Sequence, residues 1–312
     1  MRPIEYLRIP ESLNKSDIGS AVTIGVFDGL HRGHMQLINT LKNVSSEMLS
    51  IVVTFSKHPL SILDSNFAPN YLCSVEDRVT MLHDTGVDAV IPLDFDEEIA
   101  ALEAETFVQL LCKNLHLKVL VVGPGFALGR KREGNVKALS LLGKKYGFSV
   151  QNVNPLREQS SLITSTSIRE SLKDGSVKTA GNLLGRNFTL KGRVVKGEGV
   201  GRTLGFPTAN LTSENNIVIP NDGIYATWCY FNDGITDKKM KSATSIGVRP
   251  TFGEGHRTVE SYILDYDGDL YGKSMTLEFV DRIRDEIQYK SVSLLTEQMH
   301  VDVLDASKIL DN

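Results

Sequence analysis

The sequence has few cysteines and no long apolar run. Its three cysteines, Cys73, Cys112 and Cys229, lie far apart without a C-x-x-C pair, a pattern typical of reduced cytosolic thiols that pack rather than react. No apolar stretch approaches the 18 residues of a membrane-spanning helix, and the opening MRPIEYLRIP does not resemble a secretory signal. We therefore expect a cytoplasmic protein without a membrane partner.

The chain also lacks an excess of either charge. Its 312 residues include 34 Lys and Arg against 38 Asp and Glu, which gives a formal net charge of −4. Neither half is a basic module, so nucleic acid is not expected as a partner. The composition, 41% hydrophobic and 23% charged, is typical of a globular protein, and the length allows two domains of ordinary size.

The segment GEGVGRTLGFPTANL at positions 197–211 combines features of an anion site and a cation site. Glycines let backbone N–H groups approach an anion, and an arginine adds a fixed positive charge. The candidate cofactor-binding residues of this segment are Gly197, Gly199, Gly201, Arg202 and Pro207. Thr208 and Asn210 are two residues apart on a predicted strand, so their oxygens face the same side, as ligands of Mg²⁺ would.

A glycine-rich hairpin followed by an edge strand is the simpler interpretation of this segment. Such a hairpin does not need a polar pair after its proline, which favours the site. The spacing G-x-G-x-G-R is also not that of a dinucleotide-binding fingerprint, because the pattern that follows predicts a strand and not a helix.

Strand and helix patterns alternate over the first 180 or so residues. Strands are predicted at 21–27, 49–55, 89–93, 118–123 and 148–153. Helices are predicted around 35–41 and at 77–84, 97–115 and 135–146. This alternation implies a parallel sheet with helices on both faces, with ligands at the carboxyl ends of the strands.

The pattern changes after about residue 186. Short segments rich in Thr, Val, Ile, Tyr and Phe alternate with turn signals at 221–223, 232–234 and 267–269, which favours an antiparallel barrel or sandwich. Only 292–310 returns to helical spacing. The sequence thus predicts an α/β domain and an all-β domain, joined near 173–185.

The first predicted strand runs into GVFDGLHRGH at 25–34. His31 and His34 would share one face of a first helical turn, where free N–H groups and the helix dipole favour an anion. Two imidazoles add donors for phosphate oxygens during nucleotidyl transfer. A lone H-x-x-H could be a metal pair or a polar helix start, but here it resembles the nucleotidylyltransferase signature. The accompanying candidates are Gly25, Phe27, Asp28 and Gly33.

Two further segments could contact a nucleotide. ITSTSIR at 163–169 places Ser165, Thr166 and Arg169 at the start of a short helix, where the hydroxyls suit either a cap or a phosphate. GPGFALGRKR at 123–132 is a glycine-rich loop beginning at Gly123. Its basic residues 130–132 are interpreted either as a solvated run or as phosphate contacts.

With these motifs in order, the whole chain resembles the bacterial bifunctional riboflavin kinase/FAD synthetase family. Further motifs of the resemblance are IGVRPTF at 246–252, TVE at 258–260, DLYG at 269–272 and LEFVDRIRDE at 277–286. The resemblance implies a Rossmann-like nucleotidyltransferase domain over 1–182. It also implies a six-stranded antiparallel riboflavin kinase barrel with a C-terminal helix over 183–312.

By this resemblance the barrel would phosphorylate riboflavin to FMN with ATP and Mg²⁺. Thr208 and Asn210 would hold the metal, residues 197–202 would close over the nucleotide, and Glu260 would orient and deprotonate the attacking hydroxyl. The alternative for Glu260 is a role without catalysis, as an exposed strand carboxylate in an ion pair with Arg257 or Arg249. Phe206, Tyr225 and Phe252 are aromatic candidates for the flavin, although aromatics in small barrels commonly form the core.

The first domain would transfer AMP from ATP to FMN, giving FAD and pyrophosphate. His31 and His34 would bind the ATP phosphates, with Ser165, Thr166 and Arg169 completing the site. Two departures from the family pattern remove oxygen ligands. TFSKHP at 54–59 has Ser56 and Lys57 where the family commonly has Asp and Pro, and Gly125 precedes Phe126 where Asn or Asp is usual.

Three alternatives remain at this point. The first is a riboflavin kinase whose N-terminal domain only binds or senses nucleotide. The second is a flavin-binding regulatory protein without catalysis, for which the Thr208, Asn210 and Glu260 set would have no purpose. The third is a cytidylyltransferase acting on an alcohol phosphate, which leaves the second half unexplained. Nothing in the sequence indicates an oligomeric state.

Overall fold

The computed structural model describes residues 7, 18–63, 70–158, 161–213, 216–231, 239–248 and 257–311. By contacts between residues the chain divides into two compact units, Met1–Thr164 and Ser165–Asn312. The sequence places the boundary between the two functional domains at residues 182 and 183, which differs from this division and remains a prediction. None of the helices in the described part has the length and apolarity needed to cross a membrane.

The first unit alternates strands and helices. Its described strands are β1 (Ser20–Gly25), β2 (Leu49–Phe55), β3 (Ala89–Leu93), β4 (Leu117–Val122), β5 (Ala127–Leu128), β6 (Gly134–Asn135), β7 (Ser149–Asn152), β8 (Arg157–Glu158) and β9 (Ser161–Leu162). Its described helices are α1 (Arg32–Val44), α2 (Pro59–Leu63), α3 (Val75–Asp84), α4 (Glu97–Ala101), α5 (Ala104–Leu115) and α6 (Val136–Tyr146).

Five of these strands form one parallel sheet in the order β3-β2-β1-β4-β7. Alternate residues of β1 face opposite sides, because successive side chains of a strand do so. Ala21 belongs to one buried cluster with Ile38 of α1 and Leu82 of α3, whereas Val22 belongs to another with Leu111 of α5. The predicted sheet with helices on both faces is confirmed. The strand order reverses beside β1, which places the expected ligand crevice at its carboxyl end.

The single helix predicted over 97–115 is wrong. The structure has α4 and α5 instead, separated by two extended residues, Leu102 and Glu103. The break frees backbone groups for tertiary hydrogen bonds. The carbonyl of Leu102 accepts from the N–H of Arg130 at 2.7 Å, and the N–H of Ala104 donates to the Glu133 carboxylate at 2.8 Å. The apolar spacing continues across the break, so periodicity alone does not show it.

The second unit begins with a helix pair and continues as a barrel. Its described helices are α7 (Ser165–Lys173), α8 (Val177–Leu184), α9 (Val200–Thr203) and α10 (Val292–Asp311). Its described strands are β10 (Phe188–Val195), β11 (Thr208–Ser213), β12 (Gly223–Phe231), β13 (Met240–Val248), β14 (Arg257–Ile263) and β15 (Ser274–Arg284). Helix α8 lies within 173–185, where the two architectures were expected to join.

The six strands close into an antiparallel barrel in the order β10-β11-β14-β13-β12-β15. The predicted barrel and C-terminal helix are confirmed, and the sandwich alternative is excluded. Ala226 and Ala243 face outward, because they pack against Ala306 and Leu310 of α10. Side chains at the alternate strand positions therefore face the barrel interior.

Hydroxyl groups occupy part of that interior. Thr227 bonds to the hydroxyls of Ser242 and Thr244, each at 2.7 Å, and Thr244 donates to Ser261 at 3.0 Å. All four side chains are fully buried. Because buried polar groups are costly unless paired, this network favours the observed strand register over a shifted one.

Candidate active sites

The first candidate site begins in the turn between β1 and α1. Phe27, Gly29 and Leu30 have left-handed backbone conformations, with φ of 52°, 73° and 38°. The turn is held by the buried Asp28 carboxylate, which accepts from the N–H of Leu72 at 2.9 Å. The Gly29 N–H donates to the sulfur of Cys73 at 3.3 Å. This anchoring fixes the path of the chain at the carboxyl end of β1.

The two histidines then meet at the start of α1. His31 caps the helix, and its Nδ1 accepts from the His34 N–H at 3.3 Å. The rings stack with centroids 3.6 Å apart, and Phe27 contacts His34 edge-on at 5.3 Å. A side chain at Gly33 would press on the His31 ring and the Ile163 carbonyl. The predicted shared face is therefore observed.

Burial lowers the pKa of His34 well below its ordinary value, and the nearby His31 and Arg78 lower it further. Arg78 is itself buried and donates to the carbonyls of Val26 and Phe55 at 2.6 and 2.8 Å. Within the described residues, Nδ1 of His34 has no hydrogen-bond partner. At neutral pH His34 is thus a neutral imidazole with an unused nitrogen.

Ser56, the first departure from the family pattern, bonds to a carboxylate that the sequence analysis did not identify. The Ser56 hydroxyl donates to the carboxylate of Asp94, and the Ser56 N–H donates to the Leu93 carbonyl at 3.1 Å. These residues follow the neighbouring strands β2 and β3, so a carboxylate is present at this edge of the sheet. Asp94 directly follows a predicted strand, and that position was the signal that could have identified it.

The second departure lies in the loop after β4. Gly125 has φ of 71°, a left-handed conformation, and its carbonyl accepts from the Arg132 guanidinium at 2.7 Å. Arg130 pairs with Glu103 at 2.7 Å and with Glu133 at 3.8 Å. Both arginines are exposed and bonded to protein groups. The loop starts at Gly123, where a Cβ would meet open space.

Ser165, Thr166 and Arg169 lie in the first turns of α7, as predicted. By contacts this helix belongs to the second unit, so the residues predicted for nucleotidyl transfer are divided between the units. Ile168 and Leu172 form the buried face of α7, and the Leu172 carbonyl accepts from the Asn221 N–H at 2.9 Å.

The second candidate site lies on the outer face of the barrel. Thr208 and Asn210 project to the same side of β11, and Asn210 is directly opposite Glu260 of β14. The Glu260 carboxylate accepts from the hydroxyls of Thr208 and Thr258, each at 3.3 Å. Only 8% of Glu260 is exposed. Adjacent strands thus bring hydroxyl, amide and carboxylate oxygens together, a donor set that suits a hard cation.

The structural alternative for Glu260 involved Arg257 or Arg249. The Arg257 guanidinium pairs with Asp222 at 2.7 Å and donates to the carbonyl of Pro220 at 2.5 Å. Arg249, together with the aromatic candidate Phe252, lies outside the described residues. In the described part of the chain, the buried Glu260 carboxylate accepts from the hydroxyls of Thr208 and Thr258, and its role as a base stays a prediction.

The glycine-rich segment lies against this oxygen cluster. A Cβ at Gly197 would collide with the Asn210 amide, and one at Gly201 would collide with the Phe206 carbonyl. Gly199 has φ of 73° and precedes the short helix α9, which was not expected. The predicted strand follows as β11. Glycine is needed here because the chain passes so close to the predicted cation ligands.

Two cavities meet at Thr208. One, of about 580 Å³, is lined by Arg202 and Pro207 on one side and by Asp267, Asp269 and Tyr271 on another. Its lining is polar and carries one basic side chain, Arg202, beside the two carboxylates. The other, of about 270 Å³, lies between the barrel and α10.

The cavity beside α10 has one polar wall and one apolar wall. Glu260 and Tyr262 face it from the barrel, and Leu295, Met299 and Val303 face it from the helix. Phe206 also lines it, with its ring centroid 5.2 Å from that of Tyr262. An apolar slot with a few polar groups suits a planar aromatic ligand.

Of the remaining aromatic candidates, Tyr225 belongs to the core. It is fully buried, its ring contacts Phe279 at 5.4 Å, and its hydroxyl donates to the Asn221 carbonyl at 2.6 Å. The structure therefore places one of the three aromatic candidates, Phe206, at a cavity.

The fold and these sites define a class of protein: a two-part nucleotide-dependent transferase, with a Rossmann-like unit and a closed barrel. A family model described as FAD synthetase matches residues 13–167, and one described as riboflavin kinase matches residues 184–310. The chain belongs to the bifunctional riboflavin kinase/FMN adenylyltransferase family.

Full-length relatives agree with this assignment. The bifunctional riboflavin kinase/FMN adenylyltransferase of Escherichia coli strain K12 is 36% identical over 291 residues, covering 92% of each chain. That of Bacillus subtilis strain 168 is 30% identical over 319 residues, covering 100% of this chain and 99% of its own. A Streptococcus pneumoniae crystal structure, described as a macrolide-efflux protein, has a TM-score of 0.83 and 31% identity, covering 92% of this chain and 93% of its own.

Proposed function

We propose that this protein converts riboflavin to FMN and then FMN to FAD, using ATP in both steps. The kinase assignment depends chiefly on one observation, the Thr208, Asn210 and Glu260 cluster where the two barrel cavities meet. The relatives bear the same pair of activities in their names. The efflux description of the pneumococcal structure applies to that protein.

In the kinase step, the isoalloxazine ring occupies the apolar slot beside α10, and the nucleotide occupies the cavity beside Arg202. The ribityl 5′-hydroxyl then lies near Glu260, which orients it and accepts its proton. The hydroxyl oxygen forms a bond to the terminal phosphorus of ATP, and ADP leaves with the electrons of the broken bond. Positioning and charge neutralisation carry most of the rate in such a transfer.

The oxygen donors of the barrel site fit Mg²⁺, which prefers hard oxygen ligands. Thr208 and Asn210 would hold the ion. When bound, it would neutralise the negative charge of the ATP phosphates. The glycine segment at 197–202 would cover the nucleotide and exclude water from the transferred group.

In the adenylyltransferase step, the α1 N-terminus and the stacked histidines bind the ATP phosphates. The neutral imidazole of His34 carries one N–H that can donate to a phosphate oxygen, and the positive end of the α1 dipole favours the negative charge of the phosphates. The FMN phosphate attacks the α-phosphorus, and pyrophosphate leaves. Gly25, Phe27, Asp28, Gly33 and Gly123 shape this site in the first unit, and we assign Ser165, Thr166 and Arg169 of the second unit to nucleotide binding as well.

This assignment gives residues 1–182 to adenylyl transfer and residues 183–312 to the kinase. The family-model bounds support that division. We also propose that both steps take place in the cytoplasm, which the three free cysteines support.

The decisive experiment is incubation of the protein with riboflavin, ATP and Mg²⁺, followed by chromatographic separation of riboflavin, FMN and FAD. FMN followed by FAD is the expected result. FMN alone would remove the adenylyltransferase activity from the proposal, and unchanged riboflavin would overturn the kinase assignment. A reaction started from FMN measures the second step independently.

A further inference from the structure

The end of β15 and helix α10 are joined by a buried ion pair. The Arg284 guanidinium makes two hydrogen bonds to the Asp302 carboxylate, at 2.7 Å from Nε and 2.6 Å from Nη2. Gln298 donates to the same carboxylate at 3.0 Å. The two side chains are 17% and 6% exposed. Such a bidentate geometry fixes both the distance and the relative orientation of the two groups.

This pair lies in the wall of the cavity beside α10. Arg284 and Asp302 both line it, as do Met299 and Val303, which are three positions before and one after Asp302 along the chain. The opposite wall is the outer face of the barrel, where Glu260 is located. The ion pair therefore connects the apolar wall of the cavity to the barrel that carries the proposed base.

Stability alone does not account for such a pair. Desolvation of two charges opposes their attraction, and well-packed apolar residues in the same space commonly stabilise a protein equally well. An apolar pair would lack the two parallel hydrogen bonds of the guanidinium and the carboxylate. Those bonds hold α10 and the barrel at one fixed distance.

We propose that Arg284 and Asp302 are a positioning pair that sets the width of the flavin slot and so aligns riboflavin with Glu260. The inference rests on the kinase function proposed above. It assigns a role to two residues that do not touch the reacting atoms. Their loss should weaken riboflavin binding while leaving the nucleotide cavity, which they do not line, unchanged.

The chain offers a matched control at the C-terminal end of α10. Lys241 of β13 pairs with Asp311, so this pair also joins barrel and helix. It is more exposed, at 26% and 64%, and does not line the cavity. Asp311→Asn thus removes an ion pair that also joins α10 to a barrel strand, without altering the slot.

The test compares Asp302→Asn, Asp311→Asn and the double variant Arg284→Met/Asp302→Leu. The double variant replaces both charged side chains by apolar ones. It therefore leaves no unpaired buried charge that could unfold the protein, whereas the single variant leaves that of Arg284. We expect Asp302→Asn and the double variant to raise the KM for riboflavin by about tenfold, which corresponds to a loss of about 1.4 kcal/mol of binding free energy in a slot of altered width. The KM for ATP and the rate of FAD formation from FMN should stay within about twofold of wild type, as should all values for Asp311→Asn.

Riboflavin fluorescence quenching without ATP gives the binding constant independently of turnover, and thermal unfolding reports stability. A double variant that melts like wild type but binds riboflavin as tightly as wild type overturns the proposal. So does an equal loss in Asp311→Asn. If wild type binds riboflavin but does not phosphorylate it, the kinase assignment fails, and the binding constants still decide the role of the pair.

Discussion

The two candidate sites are assembled in different ways. In the Rossmann-like unit, the turn, the helix cap and both histidines come from the continuous stretch 25–34, at the end of one strand. In the barrel, Thr208 and Glu260 are 52 positions apart and meet because β11 pairs with β14. The first geometry is local, whereas the second depends on strand register. A local site can be found as a motif, but a register-dependent site needs the fold.

The largest expected effect concerns the barrel. Replacing Glu260 by Ala removes the proposed base, and we expect kinase turnover to fall by about 10²–10⁴-fold. FAD formation from FMN should be unchanged, because that step uses the other site. Separate assays started from riboflavin and from FMN measure both.

Glu278→Gln is the control for this variant, since Glu278 is a β15 carboxylate that bonds to Asn187 and Lys239 and lines neither cavity. Near-normal kinase turnover in Glu260→Ala would remove Glu260 from its role.

The complementary change is His34→Ala in the local site. We expect FAD formation from FMN to fall by about a hundredfold, because a preorganised donor to the phosphates is lost. Riboflavin phosphorylation should be retained. His83→Ala, an exposed histidine in the last turn of α3, is the matched control. Parallel loss of both activities would show that the two sites are not independent.

A smaller effect is expected from Asn210→Ala. Loss of one oxygen ligand should raise the Mg²⁺ concentration needed for half-maximal kinase activity by about tenfold. The measurement is a Mg²⁺ titration at saturating riboflavin. Thr212→Ala changes the next outward residue of the same strand and should titrate like wild type. Identical curves for Asn210→Ala and wild type would exclude this side chain as a ligand.

The smallest effect is a pH dependence of stability from His34. Because its folded-state pKa is well below the ordinary value, the unfolded chain binds a proton below about pH 6.5 that the native state does not. The free energy of unfolding should therefore decrease as pH falls from 7.5 to 5.5, by up to about 1.4 kcal/mol per pH unit from this group.

His34→Gln should show a shallower decrease over the same range, measured by calorimetry at several pH values. An unchanged slope would indicate that His34 is not a buried neutral group.

Several elements were predictable because their signals are local. Strands 49–55 and 89–93 match β2 and β3 residue for residue, since each is a short apolar run bounded by turn residues. The break in 97–115 was not predictable. It depends on Arg130 and Glu133, which are distant in sequence and bond to the backbone at the break.

At the two candidate sites, too, local features were predictable and features that depend on distant residues were not. Thr208 and Asn210 share a face because side chains alternate along any strand, which the sequence is enough to predict. The carboxylate of Asp94 beside Ser56 required knowledge of which strand adjoins β2. The pair of Arg284 and Asp302 required the position of α10 on the barrel.

By itself, the sequence determined the two architectures, the family resemblance and the residues of each local motif, because periodicity and turn chemistry act between near neighbours. Tertiary structure alone decided the placement of Glu260 opposite Asn210, the two cavities meeting at Thr208 and the ion pair in the wall of one of them. Those features arise from strand register and helix packing, which bring together residues that no local signal connects.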